Sequence, residues 1–354
     1  MTERASSHIA PLTSWRGIFV LCIAWFHCGV MPVCMQLTMA GVVCFFIMSG
    51  FLTCRAHRGL QGRGLGRFLV SRALRLYPAH WLSLALFTAF TVAVHEKGLY
   101  WPALLPNALL VQCFIPVRDY FFSFNVPSWF LSSLLACYLC YGLLYRGLKA
   151  MPLKWQLATA AALMVPYAIA MGSIEGKSEL AWAYVCPLLR VYEFALGMVM
   201  CNMCHTVCHR WDARRGHWAE WVPVGLTALL TAIDVCWPQL LGARYDQSII
   251  WEIPMALLVL VHALNNDNPG PVGRALSWRP LVWLGSMSLE LFLLQGLSGR
   301  LYNYLVAPVL GHYGIEAYAM VPVGMLPLLV GGAWLMHRYF TRPVQAWAAA
   351  KLQG

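Results

Sequence analysis

The chain has 354 residues, of which 60% are hydrophobic and only 11% charged, with a formal net charge of +11. Soluble domains run near a quarter charged and under half apolar, so this composition excludes an ordinary aqueous globule and points to lipid as the solvent. The positive charge sits in short stretches between apolar runs, where Lys and Arg collect on the cytoplasmic side of membrane proteins, so nucleic acid is not among the expected partners.

Stretches long and apolar enough to cross a bilayer recur about ten times. They lie at 14–32, 36–54, 76–94, 129–146, 155–172, 182–203, 220–237, 248–264, 281–298 and 317–337. The stretch 101–115 is short and broken by Pro102 and Pro106, and reads as re-entrant or interfacial. The first span begins late and lacks a small-residue cleavage site, so it reads as retained rather than as a signal peptide. The fold class expected is all-α, a polytopic transmembrane helical bundle of about ten spanning helices. It forms one domain over residues 1–354, with no soluble domain expected at either end. The 16 Trp, 16 Phe and 15 Tyr suit a protein with two membrane interfaces to line.

Counting Lys and Arg loop by loop gives the orientation. With the N-terminus inside, 19 of the 25 fall on cytoplasmic segments, six of them Arg between Arg55 and Arg75. Five fall outside (Lys97, Arg118, Lys177, Arg244, Arg300), and Arg190 lies within a span. That imbalance places both termini in the cytoplasm.

Function in such a chain is sought among the polar groups that a bilayer excludes. The first span carries Arg16 and His27, eleven residues apart, which puts both on one helix face at ~16 Å along the axis. Arg16 is then expected at the cytoplasmic mouth and His27 deep within the helix. A snorkelling interfacial Arg and a His satisfied by a neighbouring helix are the structural alternative. The second span reads Gly41-Val-Val-Cys-Phe45-Phe46-Ile-Met-Ser49-Gly50-Phe51, whose small residues permit close helix packing. The loop after it interleaves Arg58, Arg63 and Arg67 with Gly59, Gly62, Gly64 and Gly66, and ends in Arg72-x-x-Arg75-Leu-Tyr77-Pro78. Two guanidiniums on one helix face can hold phosphates bidentately, although a positive-inside loop alone also accounts for the charge.

The fourth span opens Val126-Pro127-Ser128-Trp129-Phe130-Leu131-Ser132. In the sixth, Arg190 and Glu193 are three residues apart and can pair inside the bundle. Glu252 and Glu290 are further candidate intramembrane carboxylates, and Asp234 sits nearer an outer end. Most of the 13 Cys lie in apolar runs and read as small buried hydrophobes. Cys201-Asn-Met-Cys204-His205 matches the haem-attachment pattern, and Cys208-His209 extends it toward a zinc set. The segment reads as cytoplasmic, so a thiol-rich helix end is preferred and no metal is assigned.

The order of these pieces is more specific than any one of them. Arg-x10-His comes first, then the Gly-Phe-Phe-Ser-Gly-Phe run, Arg-x-x-Arg-x-Tyr-Pro, Pro-x-Trp-Phe-Leu-Ser, and Arg190-x-x-Glu193-Phe-x-x-Gly197. In that order they resemble the membrane-bound acyltransferase 3 family, down to Leu284-Gly285-Ser286-Met287-Ser288 in the ninth span. The resemblance implies an inner-membrane enzyme that moves an acyl group, usually acetyl, from coenzyme A to a hydroxyl of a carbohydrate or lipid-linked glycan. Acyl-CoA is then a donor substrate, and no cofactor is held permanently. By motif position the family's functional residues fall on Arg16, His27, Arg72 and Arg75, and Arg190 and Glu193 match a further signature.

Two departures stand out. Many members carry Glu where this chain has Leu134 and Leu135, and many carry His where it has Gln295. Glu193, Glu252 and Glu290 are the carboxylates left to stand in for the missing acid.

The reading at this stage has the arginine loop and Arg16 holding the nucleotide and pyrophosphate of acyl-CoA. His27, deeper in the same cavity, is the general base on the acceptor or the transient acyl carrier. A transporter or exporter of a glycan is the alternative from another class, set against it by the lack of internal repeat symmetry.

Overall fold

The computed structural model describes residues 9–27, 32–57, 63–96, 99–237, 240, 248–316 and 320–353. Among them the chain is helical, with no strand. Within hydrocarbon every backbone N–H and C=O needs an internal partner, and a helix supplies these within one segment. The main helices are α1 (Ala10–His27), α2 (Pro32–Ala56), α3 (Arg63–Ala93), α4 (Trp129–Lys149), α5 (Leu153–Ser173) and α6 (Pro187–Val207). They continue with α7 (Trp221–Cys236), α8 (Ile249–Leu264), α9 (Arg279–Ser286), α10 (Ser288–Leu301), α11 (Val321–Met336) and α12 (Arg342–Gln353).

Each of the ten expected segments overlaps one of these helices. By length and composition, six helices of the described residues can cross a membrane, or seven if the α9–α10 pair, bent by 70°, is one span. The remaining three are α1, whose apolar run is interrupted by Arg16 and His27, α11, whose helix runs on into the polar stretch His337–Thr341, and α8, at 16 residues. Sixteen residues of helix reach only ~24 Å, less than a ~30 Å hydrocarbon core.

One boundary differs from the sequence reading, and it matters for the site. α1 is described over Ala10–His27, and residues 28–31 of the expected span lie outside the described residues. α3 is already helical at Arg63, well before residue 76, so Arg67 of the expected loop stands on the same helix as Arg72 and Arg75. Arg58, Gly59 and Gly62 of the expected phosphate loop lie outside the described residues, as do Lys97 and Arg244.

α2 is the centre of the bundle, packed on α6, α1, α8 and α4. Its seam with α6 is made by glycine: a Cβ on Gly50 would lie 1.9 Å from the Phe194 carbonyl oxygen, and one on Gly197 2.0 Å from that of Ile47. Helices immersed in lipid gain little from hydrophobicity toward each other, so close backbone approach at small residues supplies the packing. α5 and α7 lie at the periphery, with most of their surface outside the core.

Between α3 and α4 the chain forms short turns at Trp101–Ala103, Leu104–Ala108, Gln112–Phe114 and Arg118–Phe121, none long enough to cross. Their backbone is satisfied by a buried polar network. His80 Nε2 lies 2.8 Å from the Asn107 carbonyl oxygen, and the Gln112 amide donates to Ser128 Oγ at 3.1 Å. Asn125 Nδ2 donates to the Leu293 carbonyl at 2.9 Å and so ties this segment to the middle of α10.

The charge split and the long α3 together predict the topology. Reporter fusions after residues 65 and 212 should read cytoplasmic, and fusions after 119 and 245 external. The same side for 65 and 119 would mean that α3 does not cross.

Candidate active site

Three arginines converge on one cavity. α1 supplies Arg16, and α3 supplies Arg72 and Arg75, three residues apart and therefore on one face. α2 closes one side with Phe45, Ser49 and Thr53, α4 another with Phe130, Leu134 and Tyr138, and α10 a third with Ser288 and Phe292. The Arg72 guanidinium lies over the rings of Phe68 and Tyr138, with centroids at 5.1 and 5.2 Å. Among the described residues no carboxylate pairs with Arg16, Arg72 or Arg75, and the Nε atoms of Arg16 and Arg72 are buried without a hydrogen-bond partner. An unpaired charge in a low-dielectric wall is costly, so such a set calls for an anionic occupant. His57, just beyond the end of α2, feels the same field: burial first, and then the Arg72 charge, push its imidazole below its ordinary pKa.

His27 does not share this cavity. It faces two others, a larger one that also holds Trp129 and a smaller one that also holds Gln295 and Arg300. The expected single cavity, with Arg16 at its mouth and His27 deeper within it, is thus two compartments that meet at Phe292, which lines both. The reason lies in the aromatic packing between them. Phe292 sits edge-on to Phe130 at 5.3 Å, and Phe130 in turn meets Phe46 at 4.5 Å and Phe45 at 5.9 Å.

His27 Nδ1 lies 3.2 Å from Gln295 Oε1. With a carbonyl oxygen facing it, Nδ1 carries the proton and Nε2 keeps its lone pair, the tautomer a general base needs. The larger cavity also holds Arg118, Asp119, Trp129 and Tyr184. Asp119 is the one carboxylate that any of these three cavities contains among the described residues. In the sequence Arg118-Asp119 looks like any loop pair; only its place in the same cavity as His27 marks Asp119.

Arg190 and Glu193 form the expected ion pair, both fully buried, with Nη1 donating to the Glu193 carboxylate. The guanidinium also donates to the Tyr184 carbonyl through Nε, at 2.7 Å, and through Nη2. It lies 4.7 Å from the Tyr184 ring centroid and 5.9 Å from that of Trp129. Neither Arg190 nor Glu193 lines the arginine cavity or the His27 cavities, but Arg190 holds Tyr184 and Trp129, which do.

Glu290 faces His337 at 3.0 Å on α11's extension, and Glu252 is buried with neither carboxylate oxygen hydrogen-bonded. Asp234 accepts from the Gln36 amide. Cys201 and Cys204 are buried while Cys208 is exposed, and among the described residues no group of three His, Cys, Asp or Glu is placed to hold a metal.

Comparison with known proteins decides the class. The acyltransferase 3 model, described as an acyltransferase domain, matches residues 11–338. The chain belongs to this family. It is similar to acyltransferase MdmB of Streptomyces mycarofaciens, 26% identical over 318 residues, which cover 84% of this chain and 79% of that protein. No solved structure matches. The protein is therefore a membrane acyltransferase, and the transporter alternative gives way.

Within the family frame the departure at Leu134 acquires a location. Leu134 lines the arginine cavity, where an acid would have offset one guanidinium, so the only charged side chains in this cavity's described lining are its three arginines. Glu193, Glu252 and Glu290 line none of the three cavities and do not replace the acid there.

Proposed function

We propose that the enzyme transfers an acyl group, typically acetyl, from acyl-CoA to a hydroxyl of a carbohydrate or glycan acceptor at the cell inner membrane. The observation that carries this reading is the set of Arg16, Arg72 and Arg75 around one cavity with no described carboxylate to neutralise them. A pyrophosphate bearing a nucleotide is the anion such a set suits, through bidentate charge-assisted contacts. Tyr138 and Phe68 supply the faces that keep Arg72 in place.

From this anchor the flexible arm of coenzyme A carries the thioester toward His27, ~16 Å further along α1. There the acceptor hydroxyl attacks the carbonyl carbon. His27 Nε2 takes the hydroxyl proton, the new C–O bond forms, and the C–S bond breaks. The departing thiolate then receives the proton from the imidazolium, so the enzyme ends as it began. Trp129, Tyr184 and Asp119 give the larger His27 cavity the aromatic faces and hydrogen-bonding groups that a sugar needs. With Arg-rich segments cytoplasmic, the donor enters from the cytosol and the acceptor meets His27 from the other side.

The experiment pairs radiolabelled acetyl-CoA with a membrane glycan extract and follows label into carbohydrate. Arg72→Ala and Arg75→Ala are expected to weaken acyl-CoA binding by about 10–100-fold each, the counterpart of about 1.5–3 kcal/mol per charge-assisted contact. Turnover at saturating donor should change far less. Unchanged donor affinity in both folded variants would remove the arginine cavity as the donor site.

A further inference from the structure

α10 runs past both halves of the site. Ser288 and Leu289 face the arginine cavity, while Gln295 and Gly296 face His27 from the far side. Phe292 stands between them, about one helical turn from either group, and is the residue common to the arginine cavity and the larger His27 cavity. Only 6% of Phe292 is exposed. Its ring is backed by Phe130, itself wedged against Phe46. The backbone immediately after it is pinned by Asn125 at the Leu293 carbonyl. The wall therefore does not retreat without repacking α2, α4 and α10 together.

We propose that Phe292 limits the length of the acyl chain this enzyme transfers, an inference that rests on the acyl-CoA reading above. A thioester reaching from the arginines to His27 passes the Phe292 ring, and its alkyl portion must fit beside that ring while the carbonyl faces the base. Each further methylene presses on a ring that Phe130 backs at 5.3 Å. Reducing Phe292 widens the passage between the two compartments and gives a longer chain room to lie. The chemical step is the one already written; only the group on the carbonyl carbon differs.

The test uses the full-length protein in proteoliposomes, with radiolabelled acetyl-, butyryl- and octanoyl-CoA as donors and a membrane glycan extract as acceptor. Pocket discrimination runs at about 10–200-fold per methylene, so Phe292→Ala is expected to raise the octanoyl-to-acetyl rate ratio by at least ~10-fold. Phe292→Leu should give a smaller rise, and it carries the test if the alanine variant fails to fold. A residue with a merely structural role would lower all three donors by the same factor, so an unchanged ratio in a folded variant overturns the inference and leaves the acyl-CoA reading intact. If the unaltered protein moves no acyl group from any of the three donors, the acyl-CoA reading fails, and the inference falls with it.

Discussion

Replacing His27 with alanine is expected to lower turnover by on the order of 10²–10⁴-fold, the contribution of a well-placed general base, while acyl-CoA affinity stays nearly unchanged. The separation of compartments is what makes the two quantities independent. Arg16, Arg72 and Arg75 line one cavity, His27 lines two others, and Phe292 stands between. A donor anchored by its phosphates therefore does not sense the loss of an imidazole beyond the aromatic partition. Gln295 enters the same prediction through its contact with Nδ1. Gln295→Leu removes the group that fixes the tautomer and ring orientation, so it should lower turnover by less than His27→Ala, again with donor affinity retained. Equilibrium binding of acyl-CoA and saturating-donor rates, both on purified folded variants, check it. Near-normal turnover in His27→Ala would leave His27 as a packed histidine and refute the proposed mechanism.

The second large effect is on folding. Arg190→Ala or Glu193→Ala leaves one charge unpaired in a fully buried site, which costs about 3–5 kcal/mol when the partner cannot be resolvated. Both single variants should show less folded protein in the membrane and a lower melting temperature in detergent. The double replacement should recover part of the loss, because it removes the stranded charge as well as the pair. Recovery should be incomplete, since Arg190 also holds the Tyr184 carbonyl and stacks on its ring. Tyr184 and Trp129 line the larger His27 cavity, so the double variant should bind acceptor less well even where it folds. Normal folded levels with no activity in either single variant would instead assign the pair to the chemistry.

Several features of this architecture were readable from local pattern alone. Apolar run length locates the helices, because a bilayer of fixed thickness demands a fixed number of residues. The three-residue spacings of Arg72 with Arg75 and of Arg190 with Glu193 put each pair on a single helix face, and both pairs stand that way in the fold. Helix ends were less legible. α3 extends back to Arg63 because Arg67, Arg72 and Arg75 are good helix formers whatever their charge, and a hydropathy window discounts them. His27 reads as a buried histidine from its apolar run, yet it faces two cavities that its own sequence context does not show.

By itself the sequence determined the class of molecule, the places of its helices and the residues that lipid would not tolerate without a reason. Those properties follow from composition and from the 3.6-residue period, which act within one helix at a time. Only the tertiary structure decided which faces meet. It joined Arg16 to Arg72 and Arg75, set Gln295 against His27 across 268 residues of sequence, and put Phe292 between the two compartments. In water an amphipathic stripe announces the buried face of a helix, but α2 is apolar on every side and carries almost no such stripe. Its neighbours are selected by fit at Gly50 and Gly197, where α2 and α6 approach too closely for any side chain. Shape complementarity of that kind is a property of two surfaces together, and neither helix's sequence contains it alone.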